Sequence, residues 1–165
     1  MNINTTTIRR LRDGLVQRGN SANTEASNQD LPALYQQAVL ERFAPFAETM
    51  YLMMLIDEHA DSVELDAIVG AMQILTDGAL NHDVLNQVFK RCARETKQHG
   101  VEGRLQFIGA QLCADRVDRE TAFSLAAAVA IADNKLERVE ASLMKSIAEW
   151  YGISTKRCHE ILQDL

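Results

Sequence analysis

Two segments of this chain are predicted to be helices with apolar side chains on almost every face. These two segments limit the folds that the chain can adopt. They span residues 46–56 and 122–132. A helix without a polar face must lie at the centre of a soluble fold, where other elements cover it. The first segment is rich in methionine, which fills irregular gaps, and the second is rich in alanine, which lets helices approach closely. The two segments therefore predict two central helices.

Helical spacing continues through most of the remaining sequence, and strand-like alternation is rare. The chain has two prolines, Pro32 and Pro45, and each suits the first turn of a helix. A turn is predicted at residues 76–78, and Gly100 and Gly152 are predicted to end helices. The pattern predicts an all-α fold, a compact bundle of about seven to eight helices. The predicted helices span residues 31–43, 45–57, 62–76, 82–98, 102–115, 119–132, 138–151 and 155–163.

The chain divides into a polar N-terminal segment, residues 1–30, and a helical domain predicted at residues 31–165. Asparagine, threonine, serine and glutamine dominate the N-terminal segment, but Ile8, Leu11 and Leu15 fall at helical spacing within it. Three interpretations are open for this segment. It could form a short helix docked on the domain, an arm that binds a surface, or a partly flexible terminus.

The composition excludes several classes of protein. The chain has 17 basic and 23 acidic residues, a net charge of -6, which argues against a nucleic-acid partner. No apolar run approaches the roughly 20 residues that span a bilayer, and the N-terminus lacks a signal-peptide core. The three cysteines form no CxxC pair and are interpreted as reduced thiols. We therefore expect a cytoplasmic protein that does not span a membrane.

Each apolar segment is followed by a similar acidic block, at residues 57–64 and 133–140. Both blocks begin with aspartate, carry an acid at the fifth position and end in Val-Glu. Each block leads into a further segment with apolar residues at helical spacing. We therefore interpret the chain as two copies of a helix–acidic turn–helix unit, which is an internal pseudo-symmetric repeat.

Four acids occupy equivalent places in the two copies and are candidate metal ligands. The two aspartates follow the C-terminal end of an apolar helix, where the helix dipole disfavours a negative charge. If the two turns meet, the four carboxylates converge, and their repulsion favours a bound divalent cation. The alternative is structural, because Asp61 followed by Glu64 forms a capping box that needs no ligand. The candidate ligands are Asp57, Glu64, Asp133 and Glu140.

The second copy resembles the tellurite-resistance TerB-like family. The carrying residues are Ala-Ala-Val-Ala-Ile-Ala-Asp at 127–133, then Glu140, then the closing step Tyr-Gly-Ile-Ser at 151–154. Residues 50–75 resemble the first half of the family, and residues 76–80 are similar to a Thr-Asp-Gly step in some bacterial members. The resemblance covers roughly residues 45–155.

The resemblance implies an all-helical, pseudo-symmetric bundle whose acidic surface is proposed to chelate metal ions. It also implies a role in the response to tellurite and other stresses, near membrane-associated partners. The family glycine after each aspartate is Glu58 in one copy and Asn134 in the other. Tellurite is an oxyanion, so an acidic cluster acts on a cation or a basic partner. The family's acids fall on Asp57, Glu64, Asp133 and Glu140.

The expected function is therefore that of a non-enzymatic module that binds a divalent cation and a protein partner in a stress response. The alternative is a helical interaction scaffold without a metal site, in which the acidic turns only cap helices and an exposed apolar groove binds a partner. A metal-dependent hydrolase is disfavoured because no nucleophile or general base stands out. A homo-oligomer stays open.

Overall fold

The computed structural model describes residues 3–17, 31–57, 62–132 and 138–165, and all regular structure within these ranges is helical. The all-α fold predicted from the sequence is therefore confirmed. A 3-10 turn, Leu55–Asp57, directly follows the second helix. The α-helices are α1 (Thr5–Val16), α2 (Leu31–Met54), α3 (Ser62–Leu75), α4 (His82–Leu112), α5 (Arg116–Ala130), α6 (Arg138–Trp150) and α7 (Thr155–Gln163).

The second half of α2 and the whole of α5 form the centre of the fold. Every residue in the ranges 46–54 and 122–130 is buried. The helices α2 and α5 pack against each other, α3 and α4 also cover α2, and α1, α4, α6 and α7 also cover α5. The two central helices predicted from their all-round apolar character are therefore confirmed.

Helix α2 continues through Pro45, where the sequence predicted a boundary between two helices. That prediction is wrong. A proline inside a helix leaves one carbonyl without its usual N–H partner and costs about 3 kcal/mol. Both sides of Pro45 pack against the core, and the rings of Phe43 and Phe46 meet edge to face at 5.7 Å. We attribute the continuous helix to this packing, which outweighs the local penalty.

Two predicted helix ends are confirmed by the backbone of glycines. Gly100 interrupts α4 with φ 73° and ψ 167°, so that α4 consists of two helical halves, 82–99 and 101–112. Gly152 ends α6 with φ 64°. A positive φ is accessible to glycine without the clash that a Cβ atom introduces. The turn predicted at residues 76–78 is also present.

Helix α1 docks on the body of the bundle. Its residues Ile8 and Leu15 are buried, and the helix packs against α3 and α5. The Thr7 hydroxyl also donates to the carbonyl of Leu165 at 3.4 Å, which joins α1 to the last residue of the chain. Residues 18–30, where a flexible terminus was one interpretation, lie outside the described residues. Within the described ranges, none of the helices combines the length and apolar character needed to cross a bilayer.

Candidate cation-binding site

The first acidic turn begins where α2 tightens into the 3-10 turn that ends at Asp57. The side chain of Asp57 and residues 58–61 lie outside the described part of the structure. Helix α3 then begins at Ser62, and Glu64 occupies its first turn. An acid in a first turn is stabilised by the positive end of the helix dipole. The structure therefore places Glu64 in the first turn of a helix, as the sequence predicted.

The second acidic turn follows α5. The amide of Ile131 donates to the carbonyl of Ala127 at 3.0 Å and closes that helix. Asp133 and the rest of residues 133–137 lie outside the described residues. Helix α6 begins at Arg138, and Glu140 occupies its first turn. The two glutamates thus stand at equivalent places in the two predicted copies.

Glu64 and Glu140 are both partly buried, and each interacts with a neighbouring group. The 3-10 turn that ends at Asp57 packs against α6 as well as against α2. The first acidic turn therefore starts beside the helix into which the second acidic turn leads. Among the described residues, no three His, Cys, Asp or Glu side chains are grouped so that they could hold a metal ion. The Asp57 carboxylate and Asp133 are outside that set.

A buried polar network next to the central helices was not predicted from the sequence. Glu48 in α2 accepts two hydrogen bonds from Arg104 in α4, from Nε at 2.5 Å and from Nη2 at 2.9 Å. Burial and the neighbouring Glu48 charge raise the pKa of the Cys92 thiol to about 12. In the sequence, Glu48 itself indicates this buried ion pair, because a lone acid in an apolar segment requires a partner. Its partner lies 56 residues away and follows no local pattern.

A separate buried polar contact joins α2 to Tyr151, the residue that follows α6. The hydroxyl groups of Thr49 and Tyr151 lie 2.6 Å apart in the core, and Thr49 also donates to the carbonyl of Pro45 at 2.8 Å. Burial raises the pKa of Tyr151 far above its ordinary value. These groups are deep and satisfied by each other, so we assign them a structural role.

An apolar groove of about 380 Å³ lies among α5, α6 and α7. Its wall includes Phe123, Met144 and Leu162, and charged residues such as Lys145 and Glu149 also line it. The alternative function predicted an exposed apolar groove. Its position was not predicted from the sequence, because its residues come from three separate helices.

Comparison of the chain with models of protein families, with curated proteins and with solved structures finds no match. The resemblance to the TerB-like family therefore rests on the residues of the chain alone.

Proposed function

We propose that this protein is a non-enzymatic TerB-like module that binds a divalent cation between its two acidic turns and acts in a stress response. The observation that carries the proposal is the packing of the Leu55–Asp57 turn against α6. This packing brings the start of the first acidic turn close to the helix that follows the second. The family resemblance implies a protein partner, and this partner would bind the cation-bound form of the protein.

The donor chemistry suits a hard cation. Calcium and magnesium ions prefer carboxylate and carbonyl oxygens. Asp57 is the last residue of the 3-10 turn that follows α2, at the negative end of the helix dipole. A bound cation would offset the unfavourable interaction between this dipole and the Asp57 carboxylate. Glu64 and Glu140 lie in the first turns of the helices that follow the two acidic turns. A cation between the turns would offset the mutual repulsion of the carboxylates.

Thermal melts in EDTA and in Ca²⁺, Mg²⁺, Mn²⁺ or Zn²⁺ test the cation site. A ligand at 100 times its Kd stabilises the folded state by about 2.7 kcal/mol, which corresponds to a rise in Tm of about 5–10 °C for a chain of this size. We expect Asp57→Asn and Asp133→Asn each to reduce this rise. Asp77→Asn is the matched control, because Asp77 also lies in a turn between helices and its side chain is 86% exposed.

The absence of a rise in Tm with all four ions would overturn the cation site. An equal rise in Asp57→Asn, Asp133→Asn and wild type would mean that the ions bind elsewhere.

The second candidate function is a helical interaction scaffold, and the apolar groove among α5, α6 and α7 favours it. A photo-crosslinking residue in place of Leu162, in the groove, tests this function in cells. We expect one discrete adduct from position 162. The same residue in place of Val16 is the control, because Val16 is 66% exposed on α1 and does not line the groove. Identical adducts from both positions would contradict a groove-specific partner.

A further inference from the structure

A cavity of about 250 Å³ lies between the beginning of α5 and the turn that joins α6 to α7. Three arginines line it, and Glu120 is the one acid among its described lining residues. The whole chain has a net charge of -6, so this concentration of positive charge runs against the overall balance. The three arginines are Arg116, Arg119 and Arg157.

Two of the arginines share the available carboxylates. Arg157 donates from Nε and Nη2 to Glu120 at 3.0 and 2.9 Å, and from Nη1 to Glu160 at 2.9 Å. Arg116 donates from Nε to Glu120 at 2.6 Å. The hydrogen bonds from Arg157 lower the pKa of Glu120, so Glu120 keeps its negative charge. The terminal nitrogens of Arg116 are not used in these bonds, and its side chain is 70% exposed.

Arg119 has no carboxylate partner within the described residues. Its Nη1 donates to the carbonyl of Tyr151 at 3.2 Å, while its Nε is buried and has no hydrogen-bond partner there. Such a buried donor on a charged group costs free energy unless an acceptor is supplied. A Cβ atom at Gly152 would lie 3.1 Å from Nη1 of Arg119, so the glycine leaves room for the guanidinium. An anion in the cavity would supply the missing counter-charge.

The beginning of α7 adds to the positive potential. Ser154, which lines the cavity, caps this helix by accepting a hydrogen bond from the Arg157 amide at 3.3 Å. The first amides of an α-helix have no partner within the helix, and the helix dipole is positive there. The helix start therefore supports anion binding by the arginines.

We propose that this cavity binds a phosphate monoester group through Arg119 and Arg116. Guanidinium groups donate in planar pairs that match the oxygens of phosphate. A cavity of about 250 Å³ suits a phosphate group with a small ester, since pockets for larger ligands are typically about 300–1,000 Å³. The proposal uses none of the four acids of the cation site and stands independently of it.

Titration with inorganic phosphate and with glycerol 3-phosphate, followed by NMR, tests the site. The protein is kept in EDTA, and sodium chloride holds the ionic strength constant, so that the result does not depend on a divalent cation. We expect changes in the chemical shifts of the residues that line the cavity. We also expect Arg119→Gln to weaken binding about tenfold, because a hydrogen bond to a charged group is lost. Arg94→Gln, which removes an equal charge from an exposed position on α4, is the control.

Two results would overturn the proposal. The first is the absence of saturable binding to inorganic phosphate and to glycerol 3-phosphate, together with the absence of Arg119-dependent binding to vesicles that contain phosphatidic acid. The second is an Arg119→Gln protein that binds phosphate as tightly as wild type. If Arg119→Gln fails to fold, the exposed Arg116→Gln replaces it, and an unchanged affinity in that variant would overturn the proposal equally.

Vesicles distinguish the source of the phosphate group. Phosphatidylcholine vesicles with and without phosphatidic acid are sedimented with wild type and with Arg119→Gln. Binding that requires both phosphatidic acid and Arg119 assigns the site to a lipid headgroup. Binding to glycerol 3-phosphate without vesicle binding assigns it to a soluble phosphate ester. Each result supports the phosphate site and names its ligand.

Discussion

Nε of Arg104 donates to Oε1 of Glu48 at 2.5 Å, and this ion pair joins the second half of α4 to the second half of α2. The side chains are 11% and 6% exposed. Arg104 follows the helix break at Gly100. Glu95 precedes this break, and its Oε2 lies 3.8 Å from Nη1 of Arg104. The guanidinium therefore links three helical segments and helps to fix the angle between the halves of α4.

Removal of one partner of this pair is expected to be far more costly than removal of both. Arg104→Met leaves the Glu48 charge buried without its partner and should lower the free energy of unfolding by about 3–5 kcal/mol. Glu48→Met leaves Arg104 with Glu95 alone, at 3.8 Å, and should also destabilise the protein, by a smaller amount. The double variant buries no charge and should lie closer to wild type than either single variant. Urea unfolding of the four proteins measures this cycle. Additive losses in the double variant would contradict the prediction.

The hydrogen bond between Tyr151 and Thr49 has a direction that mutation can test. The Thr49 hydroxyl donates to the carbonyl of Pro45, so the Tyr151 hydroxyl must donate to Thr49. Tyr151→Phe removes a donor and leaves no donor unpaired, which should cost about 1 kcal/mol. Thr49→Val leaves the buried Tyr151 hydroxyl without its acceptor and should cost about 2–3 kcal/mol. A larger loss in Tyr151→Phe than in Thr49→Val, measured by urea unfolding, would mean that the donor direction is reversed.

Gly109 lets α4 and α6 approach closely. A Cβ atom at this position would lie 2.4 Å from the carbonyl oxygen of Trp150, and so the end of α6 would have to move. Gly109→Ala should therefore lower the free energy of unfolding by about 3 kcal/mol. Gly103→Ala is the matched control in the same helix, because its Cβ would meet His99 Cβ at an ordinary 3.6 Å. Gly103→Ala should stabilise the protein by about 0.5–1 kcal/mol. Similar values of Tm for the two variants would contradict this explanation.

The features that were predictable from the sequence are those encoded within one helix or one turn. The central helices are marked by their own apolar composition, and the backbone breaks are marked by Gly100 and Gly152. The positions of Glu64 and Glu140 followed from their spacing after the apolar segments. Pro45 misled the prediction because packing on both sides of it outweighs a local penalty.

The features that were not predictable depend on contacts between elements that are distant along the chain. Glu48 and Arg104 are 56 residues apart, and Glu120 and Arg157 are 37 residues apart. Nothing in either local sequence specifies its partner. The arginine-lined cavity likewise needs the beginning of α5 to lie beside the turn after α6, which is a consequence of the tertiary packing alone.

The buried thiol of Cys92 should make the protein less stable at alkaline pH. Its pKa is raised from an ordinary 9.0 to about 12, first by burial and then by the Glu48 charge. Between these values the unfolded chain releases the proton while the folded chain keeps it, so rising pH favours unfolding. This single group should lower the free energy of unfolding by up to about 1.4 kcal/mol per pH unit above pH 9.

The measurement is urea unfolding of wild type and Cys92→Ala at several pH values from 8 to 10.5. Cys92→Ala is less stable at pH 8 because it loses packing in the core. The difference between the two proteins should shrink as the pH rises above 9, because only wild type loses the contribution of the thiol proton. Cys113→Ala, which removes an exposed thiol, is the control and should follow wild type throughout. A constant difference between wild type and Cys92→Ala would show that Cys92 does not cause the alkaline loss.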